Sequence, residues 1–273
     1  MFSAWQVGKL FGIPVYVHWS CLLLVVLALG GAWEQSSLPH VLASAALVPA
    51  IFTCVLLHEF GHCLTARAYG IRTRDITLCA LGGVARLEGL GKRPWEELFV
   101  ALAGPAVNVA IAFVLTLVFL PFGMGLVPRE LNGETTGNLA GSFVLTLLAA
   151  NLLLGFFNLL PAFPMDGGRV LRSLLQVRLG RLRATELAAR IGLVLAVLIP
   201  ILGPAGWYLL SGEIQFMPIL VFVALFVAYA GQRELWAVRR VEEERARQEE
   251  EEAIPEVLPV EVAAPTPSRN GTE

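Results

Sequence analysis

Val55-Leu56-Leu57-His58-Glu59-Phe60-Gly61-His62 is a His-Glu-x-x-His pattern inside a run apolar enough to lie in a bilayer. On a helix, residues four apart share a face, so His58 and His62 can offer two imidazoles to one Zn²⁺. Glu59 lies about 100° round the same helix, where it can hold the metal's water. The pattern alone also arises by chance. Its setting gives it weight: two histidines and a glutamate are costly in hydrocarbon, and ionisable residues there mark functional sites by default.

The whole chain agrees with that setting. Its 273 residues are 56% hydrophobic and only 15% charged, and mean hydropathy is +0.68. A soluble domain carries about 25% charged residues, so the fold class expected is an all-α polytopic membrane protein. The cysteines, Cys21, Cys54, Cys63 and Cys79, lie in or beside apolar segments without Cys-x-x-Cys spacing and read as free buried thiols. Met1 to Val17 has one charged residue, Lys9, and no basic cluster before a cleavage site, so the first apolar run is expected to stay as a span.

Working outward from the motif, residues 1–16 read as a short interfacial entry, and residues 17–32 as a first span with His18 at its start. A long helical run over 41–69 carries the motif. Residues 71–90 are too polar to span, and their Thr, Ile and Val around Gly82-Gly83 predict a small β-hairpin or sheet. Pro94-Trp95-Glu96-Glu97 is a good helix start for a third span over 98–120. A Gly/Pro-rich loop precedes a fourth span over 139–160, which Pro161 ends. Asp166-Gly167-Gly168 then precedes an Arg-rich helix over 169–179, and two further spans follow over 187–210 and 216–230. The reading is therefore six transmembrane helices with a cytoplasmic-side sheet. Residues 1–231 form the membrane core, and residues 232–273 a charged helix with a disordered tail.

With six spans both termini share a side. Nineteen of the 20 basic residues fall on that side, and only Arg129 lies opposite. By the positive-inside rule the termini, the β segment and the Asp166 loop are cytoplasmic, in a multi-pass protein of the plasma (inner) membrane.

Asp166 fits two roles. It can cap the helix that follows, or it can reach the metal if the fourth span folds back on the second. With the motif already in hydrocarbon the ligand role is favoured, because two imidazoles and one carboxylate make a hydrolytic zinc set with a position left for water. Zinc lowers the pKa of bound water from about 15.7 to about 7, and Glu59 can take the water's proton and pass it to a leaving amine. Asn108 is a buried amide in the third span. It can serve as an oxyanion donor, as a substrate-orienting group, or as an interhelical hydrogen bond. His18 reads as interfacial rather than as a further ligand, and His40 falls in the opposite loop.

Three stretches in order, His58-Glu59-Phe60-Gly61-His62, Ala103-Gly104-Pro105-Ala106-Val107-Asn108 and Asn158-Leu159-Leu160-Pro161-Ala162-Phe163-Pro164-Met165-Asp166-Gly167-Gly168-Arg169, together resemble the site-2 protease family of intramembrane zinc metalloproteases. The resemblance implies one Zn²⁺ per chain on His58, His62 and Asp166, Glu59 as catalytic base, and Asn108 as a catalytic assistant. It also implies transmembrane protein substrates such as anti-sigma or pro-sigma factors. Met165 stands where the family usually has Leu, a volume-conserving exchange. Gly12-Ile13-Pro14 and His18-Trp19-Ser20 resemble the bacterial and archaeal branch that often carries a C-terminal CBS pair, for which the residues after Gln232 are too few. The alternative is a membrane zinc-binding protein or transporter without proteolysis. The lipid bilayer is a partner, no nucleic acid is expected, and the acidic run Glu242 to Glu252 offers a surface for a further partner.

Overall fold

A computed structural model describes residues 4–33, 38–80, 82–89, 93–119, 130–131, 134–135, 139–211 and 218–253. Seven helices and two small sheets make up these residues. In chain order they are β1 (Ala4–Leu10), β2 (Ile13–His18), α1 (Ser20–Trp33), α2 (Leu38–Ala68), β3 (Arg72–Cys79), β4 (Gly82–Glu88) and α3 (Pro94–Phe119). They continue as β5 (Glu130–Leu131), β6 (Glu134–Thr135), α4 (Leu139–Asn158), α5 (Asp166–Leu179), α6 (Arg181–Ser211) and α7 (Pro218–Ala253).

Five helices, α2, α3, α4, α6 and α7, contain stretches long and apolar enough to cross a membrane. Most of the surface of each such stretch lies outside the protein's interior. That is how helices bathed in lipid differ from the core helices of a soluble domain. The protein is membrane-embedded.

α1, the first of the six expected spans, begins at Ser20 rather than at residue 17 and has 14 residues, about 21 Å at 1.5 Å per residue, so it is shorter than the five stretches above. The interfacial entry has regular structure. Residues 4–18 form the hairpin β1–β2, closed by Phe11 and Gly12, both at positive φ. The predicted hairpin over 71–90 is present as β3–β4, and the two hairpins join because β2 pairs in parallel with β3, Val15 beside Ile76. A single four-stranded sheet results, in the order β1-β2-β3-β4. Parallel neighbours need a crossover, and here α1 and α2 supply it, running out and back.

The sheet seats itself against α2. Ile13, Val15, Ile76 and Leu78 pack with Val55, Phe60 and Cys63 in one buried cluster. These are the turns of α2 that carry the His-Glu-x-x-His pattern, so the sheet is seated beside the site.

Other expectations need smaller adjustment. α2 starts at Leu38, so His40 belongs to its first turn rather than to a loop. α5 starts at Asp166 itself. α7 passes through the expected boundary at residue 231 without a break and continues to Ala253, with a mostly exposed charged surface from Arg239. The disordered tail expected beyond it lies outside the described residues. All four cysteines are free, and Cys21, Cys54 and Cys63 are buried.

Candidate metal centre

Helix α2 packs on α3 and α4, and α3 packs on α5. Close approach of α2 to α3 depends on two glycines. A Cβ at Gly61 would stand 2.7 Å from the Ala103 carbonyl oxygen. A Cβ at Gly104 would stand 2.7 Å from His58 Nε2 and closer still to His62 Nε2. Real side chains never approach that closely, so α3 can pass the two imidazoles only because residue 104 has none.

α4 ends at Asn158, whose Nδ2 donates to the Leu154 carbonyl one turn back. The chain then turns through Pro161 and a cis Phe163–Pro164 bond before α5 begins. Cβ atoms at Gly167 and Gly168 would strike the Leu159, Leu160 and Ala162 backbone. The Gly-Gly pair therefore lets α5 fold tightly onto the turn that precedes it. Asp166, at the first helical position, faces the two histidines. Met165 holds the N-cap position and makes no side-chain cap bond, which leaves the Asp166 carboxylate for another purpose.

His58, His62 and Asp166 are all buried and bring one ligand atom each into a single group. Asp166 Oδ2 is 3.2 Å from His58 Nε2 and 3.1 Å from His62 Nε2. The two Nε2 atoms are 3.1 Å apart. The far nitrogens are already engaged. His58 Nδ1 donates to Asn108 Oδ1 at 3.0 Å, and His62 Nδ1 donates to the Val100 carbonyl at 2.7 Å. These acceptors assign the ring protons to Nδ1, so both Nε2 atoms carry lone pairs.

Three acceptors thus converge with no hydrogen between them, and Asp166 Oδ2 is a buried oxygen without a hydrogen-bond donor. Lone pairs at these separations repel, and a cation between them removes the conflict. Zinc fits by size. Ligand atoms about 2.0–2.1 Å from one tetrahedral zinc lie about 3.3 Å apart.

Glu59 is buried one position along α2 from His58. Its Oε2 accepts the Ala85 backbone N–H at 3.1 Å, and a Cβ at Gly83 would stand 2.5 Å from Glu59 Cγ and 2.8 Å from Oε1. The glutamate therefore lies against the backbone of β4, which has a strand partner on one side only among the described residues. Asn108 is fully buried behind His58, with its Nδ2 3.5 Å from the Asn151 carbonyl oxygen. It links α2, α3 and α4 and orients His58. His18 ends β2, with Nδ1 2.8 Å from Ser20 Oγ, and lies outside the metal group.

Some participants are invisible to motif reading. The Val100 carbonyl and Ala85 N–H belong to the backbone, where side-chain identity carries no signal. Gly83 and Gly104 act by having no side chain. Gly104 stands in a quoted motif and Gly83 in the predicted hairpin, and neither position shows its role before the helices and strands are packed.

The description of Peptidase family M50 matches residues 46–137 and 123–199. A zinc metalloprotease of Methanocaldococcus jannaschii is 37% identical over 226 residues, which cover 83% of this chain and 59% of that protein. The solved structure of a site-2 protease from the same organism superposes with a TM-score of 0.56 at 35% identity, covering 85% of this chain and 95% of that one. The chain spans about half to three fifths of the length of the first curated relatives it matches.

Proposed function

The chain belongs to peptidase family M50, and on that premise we propose that it is an intramembrane zinc endopeptidase that cuts transmembrane segments of other membrane proteins. The observation that carries this reading is the convergence of His58 Nε2, His62 Nε2 and Asp166 Oδ2 within 3.1–3.2 Å with no donor among them. His58, His62 and Asp166 hold one zinc. When bound there, zinc supplies Lewis-acid polarisation of a carbonyl and acidification of water.

The protein's own groups do the rest. Glu59 takes a proton from the attacking water and returns it to the leaving amine nitrogen. The Ala85 N–H fixes one of its carboxylate oxygens. Asn108 and the Val100 carbonyl hold the two imidazoles in the tautomer that presents Nε2 to the metal.

A transmembrane helix hides its carbonyls in its own hydrogen bonds and must unwind before it is cut. The edge of β4 lies beside Glu59, where an unwound segment adds as a further strand, its backbone groups satisfied by the sheet. Distribution of the basic residues supports a plasma (inner) membrane location with both termini and the sheet cytoplasmic. The site then opens to the cytoplasmic side, where membrane-anchored anti-sigma or pro-sigma factors are the substrate class implied by the family resemblance.

The test uses the full chain in detergent with a transmembrane peptide substrate. Glu59→Gln is expected to keep about one zinc per chain while cleavage falls by roughly 10²–10⁴-fold, the span for losing a general base. Full cleavage by Glu59→Gln with zinc present would sink the proposal.

A further inference from the structure

A second buried charged cluster lies away from the metal group and has no part in the chemistry described so far. Arg172, in the middle of α5, is 3% exposed. Its Nε donates to Glu97 Oε1 at 3.0 Å, and its Nη2 reaches the same oxygen. Its Nη1 reaches Glu234 Oε1. Glu97, on α3, is fully buried, and Glu234 belongs to α7. The guanidinium also lies over the Phe163 ring, 5.1 Å from its centroid. One side chain thus ties α5 to α3, to α7 and to the turn that delivers Asp166.

We propose that Arg172 is a positioning residue of the metal site. Through Glu97, Glu234 and Phe163 it fixes the pose of α5 and so the place of Asp166, and zinc retention therefore depends on how α7 is seated. The inference rests on reading Asp166 as a zinc ligand.

The lever is short and stiff. Arg172 and Asp166 are six residues apart on one helix, about 9 Å along its axis. The Gly167–Gly168 contacts with the Leu159–Ala162 backbone join the start of α5 to its turn without slack. A tilt of about 10° at Arg172 therefore moves Asp166 by roughly 1.5 Å, several times the ~0.5 Å within which a metal constellation must be held. Arginine suits the task because its planar fork serves two carboxylates at once, which an ammonium cannot do. Glu97 Oε2 is buried without a hydrogen-bond partner, and the hydrogen bonds from Arg172 reach the carboxylate through Oε1. Glu234 is the exposed arm of the cluster, its side chain 36% accessible. It stands five residues before Arg239, where the mostly exposed charged stretch of α7 begins.

The test measures the zinc dissociation constant of the full-length protein in detergent, by competition with a chelator of known affinity. Folded fraction is followed in parallel by far-UV circular dichroism and size exclusion. Glu234→Gln keeps the shape and removes the charge, and Arg172→Lys keeps the charge and removes the fork. Each is expected to weaken zinc at least tenfold with the folded fraction unchanged, and to add nothing once Asp166→Asn is present. Unchanged zinc affinity with a lowered melting temperature would mean a structural role only and would overturn the proposal. Equal weakening with and without Asp166→Asn would also overturn it, since Arg172 would then act through some other ligand. An Asp166→Asn protein that binds zinc as tightly as wild type overturns the ligand reading itself, and the inference with it.

Discussion

Two buried charged clusters flank α3, and they solve the same problem in opposite ways. At His58, His62 and Asp166 three acceptors meet and no donor joins them. At Arg172, Glu97 and Glu234 a donor fork lies between two carboxylates. Burial alone lowers the Arg172 pKa, but Glu97 and Glu234 more than offset this and raise it above its ordinary value. The ion cluster therefore has its charges paired within the chain, with Glu97 Oε2 left without a hydrogen-bond partner, whereas the metal group is three acceptors that only a cation can pair. Buried acceptors that converge with no donor call for an explanation, and a bound cation supplies one.

The contrast can be broken most forcefully at the metal group. His62→Ala removes one of three ligands, and bound zinc measured by mass spectrometry is expected to fall from about one per chain to near zero, with cleavage lost. Retained stoichiometric zinc would erase the distinction between the clusters. The next effect belongs to the ion cluster. Arg172→Met leaves Glu97 buried without its cation and is expected to cost about 3–5 kcal/mol of stability, the range for breaking a buried pair, read as a large drop in melting temperature. Adding Glu97→Leu and Glu234→Leu is expected to restore much of it, because a cluster that is structural can be replaced by apolar packing. The same remedy must fail at the metal group.

A smaller effect sharpens the picture. Asn108→Ala removes the acceptor behind His58 and is expected to weaken zinc by about 10–100-fold, as loss of a ligand-orienting partner does. The fold should survive, which circular dichroism checks. The smallest change is expected at the surface. Arg239 Nη2 and Glu186 Oε1 pair at 2.7 Å between α7 and α6, and Arg239→Ala should leave zinc content and melting temperature unchanged, since exposed pairs contribute little.

How much of this was legible in the sequence depends on distance along the chain. His58 and His62 announce themselves because helical geometry places residues four apart together. Asp166 was legible despite lying far from them, since a proline break and two glycines mark a chain doing something irregular. The ion cluster was not legible. Arg172 lies 75 positions from Glu97 and 62 from Glu234, and each looks like an ordinary charged residue of its own helix. Only tertiary packing brings them together. The sheet was half legible. β3 and β4 are neighbours in sequence around Gly82-Gly83, while β1 and β2 fall in residues 1–16, where Gly8, Gly12 and Pro14 suggest a short interfacial entry. Missing β2 also lengthened the first span, because Val17 and His18 were credited to a helix when they belong to a strand.

The parallel pairing of β2 with β3 also imposes an order on biosynthesis. Val15 and Ile76 cannot meet until the intervening 60 residues, α1 and α2 among them, have left the ribosome and entered the bilayer. Until then β2 carries unpaired backbone groups at the membrane surface. Asp166 arrives later still, after α3 and α4 are in place. The nascent chain therefore holds both histidines through the synthesis of the 103 residues from Cys63 to Met165 before the third member of the proposed ligand set appears. On the proposed ligand set, a partly made copy lodged in the membrane lacks one of three zinc ligands until α5 docks.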